Sequence, residues 1–162
     1  MKRTSLIVAS ALTLVLVAGF VAQARSSRLD AARRIGPRSS TTVHVIEHAT
    51  TDTTVDVGSS GDSTGDILTF SNDVFDETNT TKVGHDQGEC TRINVVDGSW
   101  ECHWITFLKG GAITVEGPFY DTKNSVLPIT GGRGTFKDAS GSMKLSSLAS
   151  GTEYDFVFTV RQ

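Results

Sequence analysis

Few side chains in this sequence are placed to do chemistry. Cys90 and Cys102 flank a hairpin signal, Val-Val-Asp-Gly-Ser at 95–99, and so belong to neighbouring antiparallel strands. In an exported chain, two such cysteines point to a disulfide more than to a metal site or redox motif. Closing so short a loop contributes on the order of 3 kcal/mol in the chain-entropy account. The competing reading keeps Cys90 as a reactive thiol. Glu47 and Arg92 form the most informative pair. If both face an apolar interior, neither can stay charged and alone. Together they would either anchor a ligand carboxylate, phenol or carbonyl, with Glu47 as general base or charge stabiliser, or form a structural ion pair that fills the interior. His44 and His48 share a strand face, but it is the face opposite Glu47. Neither His85 nor His103 has a cysteine or carboxylate at ligand spacing, so no metal is expected. No Ser-His-Asp order or phosphate loop is evident, and no cofactor is implied.

These side chains must be positioned by strands. After residue 40 helical periodicity is nearly absent, and period-two alternation recurs between Gly-rich turns. The predicted strands are Thr42 to Thr50, Asp66 to Phe75, Glu89 to Val96, Trp100 to Leu108, Ala112 to Phe119, Ser125 to Thr130, Ser142 to Leu148 and Glu153 to Arg161. The segment from Thr78 to Gly88 reads as a connection. Eight antiparallel strands on a meander predict an all-β fold, an eight-stranded antiparallel up-and-down β-barrel that leaves no open sheet edge. A barrel of this strand number is either plugged by its own side chains or holds one small ligand. Alternation groups Leu68, Phe70 and Asn72 on one face, Cys90 with Arg92, and Trp100 with Cys102 and Trp104. Phe70, Trp100, Trp104 and Phe119 would line a flat apolar pocket suited to aromatic or lipid-like ligands. Ordinary core packing is the competing account of each.

The chain has 162 residues and a net charge of −3, enough for one domain with a sizeable core. Residues 1–24 combine a basic head, an apolar run and the small-x-small pattern Ala22-Gln23-Ala24, which predicts a signal peptide cleaved after Ala24 and a secreted protein. A single membrane anchor is the alternative, because Leu6 to Ala22 spans 17 mostly apolar residues. Once the signal is removed, no membrane association is expected. Residues 25–40 are basic, small and polar, and read as a disordered leader to a domain at 41–162. Without that leader and the basic head the domain is more acidic still, which disfavours a nucleic-acid partner.

Taken together, GDILTFSNDVFD, VGHDQGEC, WECHWITF, AITVEGPFYDTKNSVLPITGGRGTF and GSMKL resemble the allene oxide cyclase barrel family, in particular its secreted bacterial members. The likeness runs from Gly65 to Arg161, with a weaker extension through VHVIEHAT. Plant dirigent proteins share the same barrel, and Pro128 with GGRGTFKDASG resembles their corresponding run. The resemblance implies a barrel that moulds a small hydrophobic molecule during cyclisation or stereoselective coupling, an isomerase activity. It assigns Glu47 and Asn72 as catalytic, the latter as a water holder. It likens Phe70, Cys90, Trp100 and Phe119 to the family's pocket wall, which turns the faces carrying Leu68, Arg92 and Trp104 inward, so that all seven are expected to bind substrate. The chain departs from the plant cyclases at Ala49, where they have a second asparagine, and at Arg92 and Cys102. The implied partner is a lipid-like or phenolic small molecule, and relatives suggest a homodimer or homotrimer. A non-catalytic, lipocalin-like carrier of a hydrophobic ligand is the alternative function.

Overall fold

A computed structural model describes residues 39–162; the predicted signal peptide and almost all of the predicted leader lie outside the described residues. Ten strands follow in chain order: β1 (Ser40–His48), β2 (Thr53–Val55), β3 (Ile67–Phe70), β4 (Asp73–Asp76), β5 (Lys82–Asn94), β6 (Ser99–Leu108), β7 (Gly111–Tyr120), β8 (Ser125–Gly134), β9 (Ser140–Leu148) and β10 (Glu153–Arg161). No α-helix occurs among the described residues; one 3₁₀ turn, Ala149–Gly151, joins β9 to β10. The meander from β5 to β10 returns to β1, β1 pairs with β4, and β4 and β6 both pair with β5. This closes eight antiparallel strands into the expected barrel, with β2 and β3 added at one end.

The alternating pattern explains which wall faces in. Along β6, Trp100, Cys102, Trp104 and Thr106 are buried while Glu101 and His103 are exposed. Val74, Ile113, Val115, Leu127, Met143, Phe156 and Phe158 complete the interior. The inner wall of β5 carries Gly88 opposite Trp104, and an added Cβ there would lie 2.3 Å from the Trp104 Cβ. β6 comes this close at Trp104 only because that glycine has no side chain. Gly134, at φ 64, turns out of β8 where an added Cβ would lie 2.1 Å from the Gly110 carbonyl oxygen. Only glycine fits there.

Three features differ from the strand prediction. The single strand predicted from Asp66 to Phe75 is two, β3 and β4, parted at Ser71-Asn72. Asn72 keeps its backbone pairing with Asp86 across the gap, at 3.0 and 2.8 Å, so β5 sees a nearly continuous partner. On the other side, residues 49–52 loop out between β1 and β2, and the Asn72 side chain takes the place of the missing ladder. The connection predicted from Thr78 to Gly88 is largely strand, because β5 starts at Lys82. β2 is a short, wholly exposed strand that alternation does not signal.

Cys90 and Cys102 face each other across β5 and β6 and are joined by a disulfide, with Cα atoms 4.0 Å apart. No free cysteine remains among the described residues.

Candidate functional site

The interior narrows to a pocket between β1, β3, the disulfide and β10. Its walls are Leu68, Phe70, Trp104, Phe119, Leu145 and Phe156. Glu47, Asp52, Tyr154 and both half-cystines complete it. The room inside is about 40 Å³, enough for a few waters and well below the hundreds of Å³ of a drug-sized site. Phe119 and Tyr154 meet edge to face with ring centroids 5.9 Å apart. Both are only partly buried, as are Leu68 and Phe70, so the side of the pocket they form is its less buried one.

Glu47 supplies the polar end. Its side chain is 5 % exposed, and its Oε1 accepts a 2.8 Å hydrogen bond from Asn72 Nδ2. That amide also donates to Asp52 Oδ1 at 2.7 Å. On its other side, Asn72 Oδ1 accepts from the backbone N–H groups of Thr50 (3.1 Å) and Thr51 (3.0 Å) and from the Thr51 hydroxyl (2.9 Å). The side chain therefore spends its hydrogen-bonding capacity within the protein. It holds the interrupted ladder together and aims Glu47.

Burial pushes the Glu47 carboxyl up from 4.5 to about 7. The Asn72 bond opposes that rise and the neighbouring Asp52 charge adds to it. Asp86, fully buried on the inner wall of β5, lies against Glu47. Burial first, and the Glu47 charge second, hold its carboxyl well above the usual range. Burial also raises the Tyr154 phenol, and the charges of Asp52, Glu47 and Asp121 act in the same direction.

The residues singled out from sequence fall into three groups. Leu68, Phe70, Cys90, Trp104 and Phe119 surround the pocket with Glu47. Asn72 stands behind Glu47 and is not part of the lining. Arg92 and Trp100 belong elsewhere, and Glu47 and Arg92 do not meet. The Arg92 guanidinium donates to both Asp62 carboxylate oxygens, at 2.8 and 3.0 Å, and to Asp121 Oδ2 at 2.6 Å. It stacks on the Trp100 ring at 3.9 Å, and Trp100 Nε1 donates to Asp121 Oδ1 at 2.8 Å. This clamp ties the 56–65 loop and the β7–β8 turn to the barrel wall.

Sequence reading missed Asp52, Asp86, Leu145, Tyr154 and Phe156. The alternation Asp86, Gly88, Cys90, Arg92 was the available signal for Asp86. His44 and His48 bond outward, to Asp155 and to Asn79 respectively. No cluster of three or more His, Cys, Asp or Glu side chains able to hold a metal occurs among the described residues.

Solved structures share this barrel. A protein described as pyocyanin demethylase is 22 % identical, with a TM-score of 0.64, over 74 % of this chain and 99 % of its own. A pterocarpan synthase dirigent protein is 15 % identical, with a TM-score of 0.64, over 76 % of this chain and 96 % of its own. A Diels–Alderase from Streptomyces koyangensis is 18 % identical, with a TM-score of 0.64, over 99 % of this chain and 83 % of its own. At such identities the likeness speaks for the fold alone. The model of the allene oxide cyclase family matches residues 39–161, which spans the whole barrel with its pocket and disulfide: the chain belongs to the allene oxide cyclase family.

Proposed function

We propose that the barrel binds a small hydrophobic molecule in the pocket and steers its cyclisation or stereoselective coupling, with Glu47 as the acid–base group. The observation that carries this reading is the buried Glu47 carboxyl lining a pocket with aromatic walls, where burial pushes it up to about 7. A carboxyl poised near 7 can take or return a proton at the pH of most surroundings. Phe70, Trp104 and Phe156 restrict how a guest lies, which is how a mould selects one ring closure over another. Asn72 is a positioning residue in this account, since it fixes the Glu47 oxygen. Guests larger than a few waters enter by displacing the Phe119 and Tyr154 rings. The saturated Asn72 side chain favours a second reading, a non-catalytic carrier, because no spare amide donor is left to hold a reactive water. The disulfide supports export to an oxidising compartment.

The test is product analysis with a panel of small epoxides, dienes and oxidatively generated phenoxy radicals. The protein should change ring closure or stereochemical ratio for at least one class, and Glu47→Gln should reduce that change by about 100-fold in rate. Binding with unchanged products would leave the carrier reading; neither binding nor altered products would remove both.

A further inference from the structure

The polar end of the pocket carries the Glu47 and Asp52 carboxyls, with the Asp86 carboxyl against Glu47, and no cation lines it among the described residues. Glu47 and Asp86 come from opposite sides of Asn72, which binds Asp86 through its backbone and Glu47 through its side chain. Asp86 is completely buried, and neither of its carboxyl oxygens has a partner at hydrogen-bond geometry; the Asn72 backbone N–H nearby offsets only part of the burial. An unpaired carboxylate in that position would carry a large desolvation cost, so a proton must reside there. The charged and titratable groups near Glu47 are Asp86 on β5, Asp52 in the 49–52 linker and Tyr154 on β10. None is basic. Arg92, the one buried cation among the described residues, is committed to Asp62 and Asp121.

Resting on the proposed ligand-binding function, we propose that Glu47 and Asp86 form a proton-sharing carboxyl dyad, so that the pocket takes neutral ligands through a hydroxyl or phenol hydrogen and rejects carboxylates. With one proton held on the Asp86 side, Glu47 offers an acceptor oxygen. A ligand O–H donates to it. Should that proton transfer fully, the dyad holds two protons and the ligand one fewer, and the reverse transfer restores both. An anionic headgroup finds like charge in Glu47 and Asp52 and no guanidinium or ammonium to offset it. Burial first, and the charges of Asp52, Glu47 and Asp121 after it, raise the Tyr154 phenol at the pocket wall.

Two measurements on the intact protein test this. The first follows the side-chain carboxyl carbons by NMR against pH. Glu47 and Asp86 should titrate as a coupled pair, with two well-separated midpoints both above the usual carboxylate range. In the isosteric Asp86→Asn protein the upper step should vanish and Glu47 should show a single step. Two independent midpoints near 4 in wild type would overturn the dyad, whatever the variant does. The second measures phenol and benzoate by equilibrium dialysis at neutral pH. Phenol should bind at least about tenfold more tightly, a difference of about 1.4 kcal/mol. Equal or tighter benzoate binding would overturn the ligand class. If neither binds while the carboxyls titrate as a pair, the ligand-binding function fails and the dyad stands.

Discussion

Glu47 shows how a single residue couples structure to pH. Its native carboxyl holds a proton up to about pH 7, against 4.5 for the ordinary group. Between those values the native state binds more protons than the unfolded chain, so stability falls as pH rises through the window. Asp86 contributes in the same direction. Asp66 and Asp76 have lowered carboxyls, held by backbone N–H groups of Val57 and Ser63 and of Thr80; their contributions disappear only in acid, below this window. Urea unfolding of wild type should therefore show a loss of at least roughly 3 kcal/mol between pH 4.5 and about pH 8, the Glu47 part, with Asp86 adding to it. Glu47→Gln keeps an oxygen for the Asn72 amide and removes the titration. Its profile should be flatter, with the gain over wild type confined to the alkaline side; parallel profiles would contradict the assigned burial and proton.

At the scale of elements, the β5–β6 hairpin carries the most information about how the pocket is built. The disulfide joins its mid-point, Gly88 seats Trp104, and Asp86 stands opposite Thr106. Gly88→Ala would place a Cβ 2.3 Å from the Trp104 Cβ and 2.4 Å from the His103 carbonyl oxygen. One of the two strands must shift, so we expect a destabilisation of about 2–3 kcal/mol in denaturant unfolding. An unchanged midpoint would mean that the wall is looser than the packing indicates. This hairpin also marks how far the sequence could be read. Trp100, Cys102 and Trp104 announce β6 because large buried groups alternate with polar ones. The inward positions at the start of β5 are Gly84, Asp86 and Gly88, and none is apolar, so periodicity has nothing to register and the segment resembles a loop. The break at Ser71-Asn72 is equally silent, because it is made by side-chain bonds from Asn72 to backbone groups more than 20 residues away. Glu47 was legible as an inward carboxyl. Its true neighbours were not: Arg92 finds Asp62 and Asp121 through loops whose reach alternation cannot report.

Across the whole molecule, closure of the barrel sets what the pocket can do. Pairing of β5 with β6 leaves no gap between the main strands, and the aromatic side chains of β6 and β10 pack with aliphatic ones from the other strands to fill the interior. What remains is a small pocket in which Tyr154 pairs across from Glu47 and the half-buried rings of Phe119 and Tyr154 form the less buried side. The central claim is that this pocket, and not the outer surface, receives a small neutral hydrophobic guest. Methyl and aromatic NMR during titration with phenol tests it most directly. Saturable shifts at Leu68, Leu145, Phe70 and Tyr154, with Val126 and Ile93 on the outside unmoved, are the predicted result. Shifts confined to the outer residues, or none at saturating phenol, would contradict it.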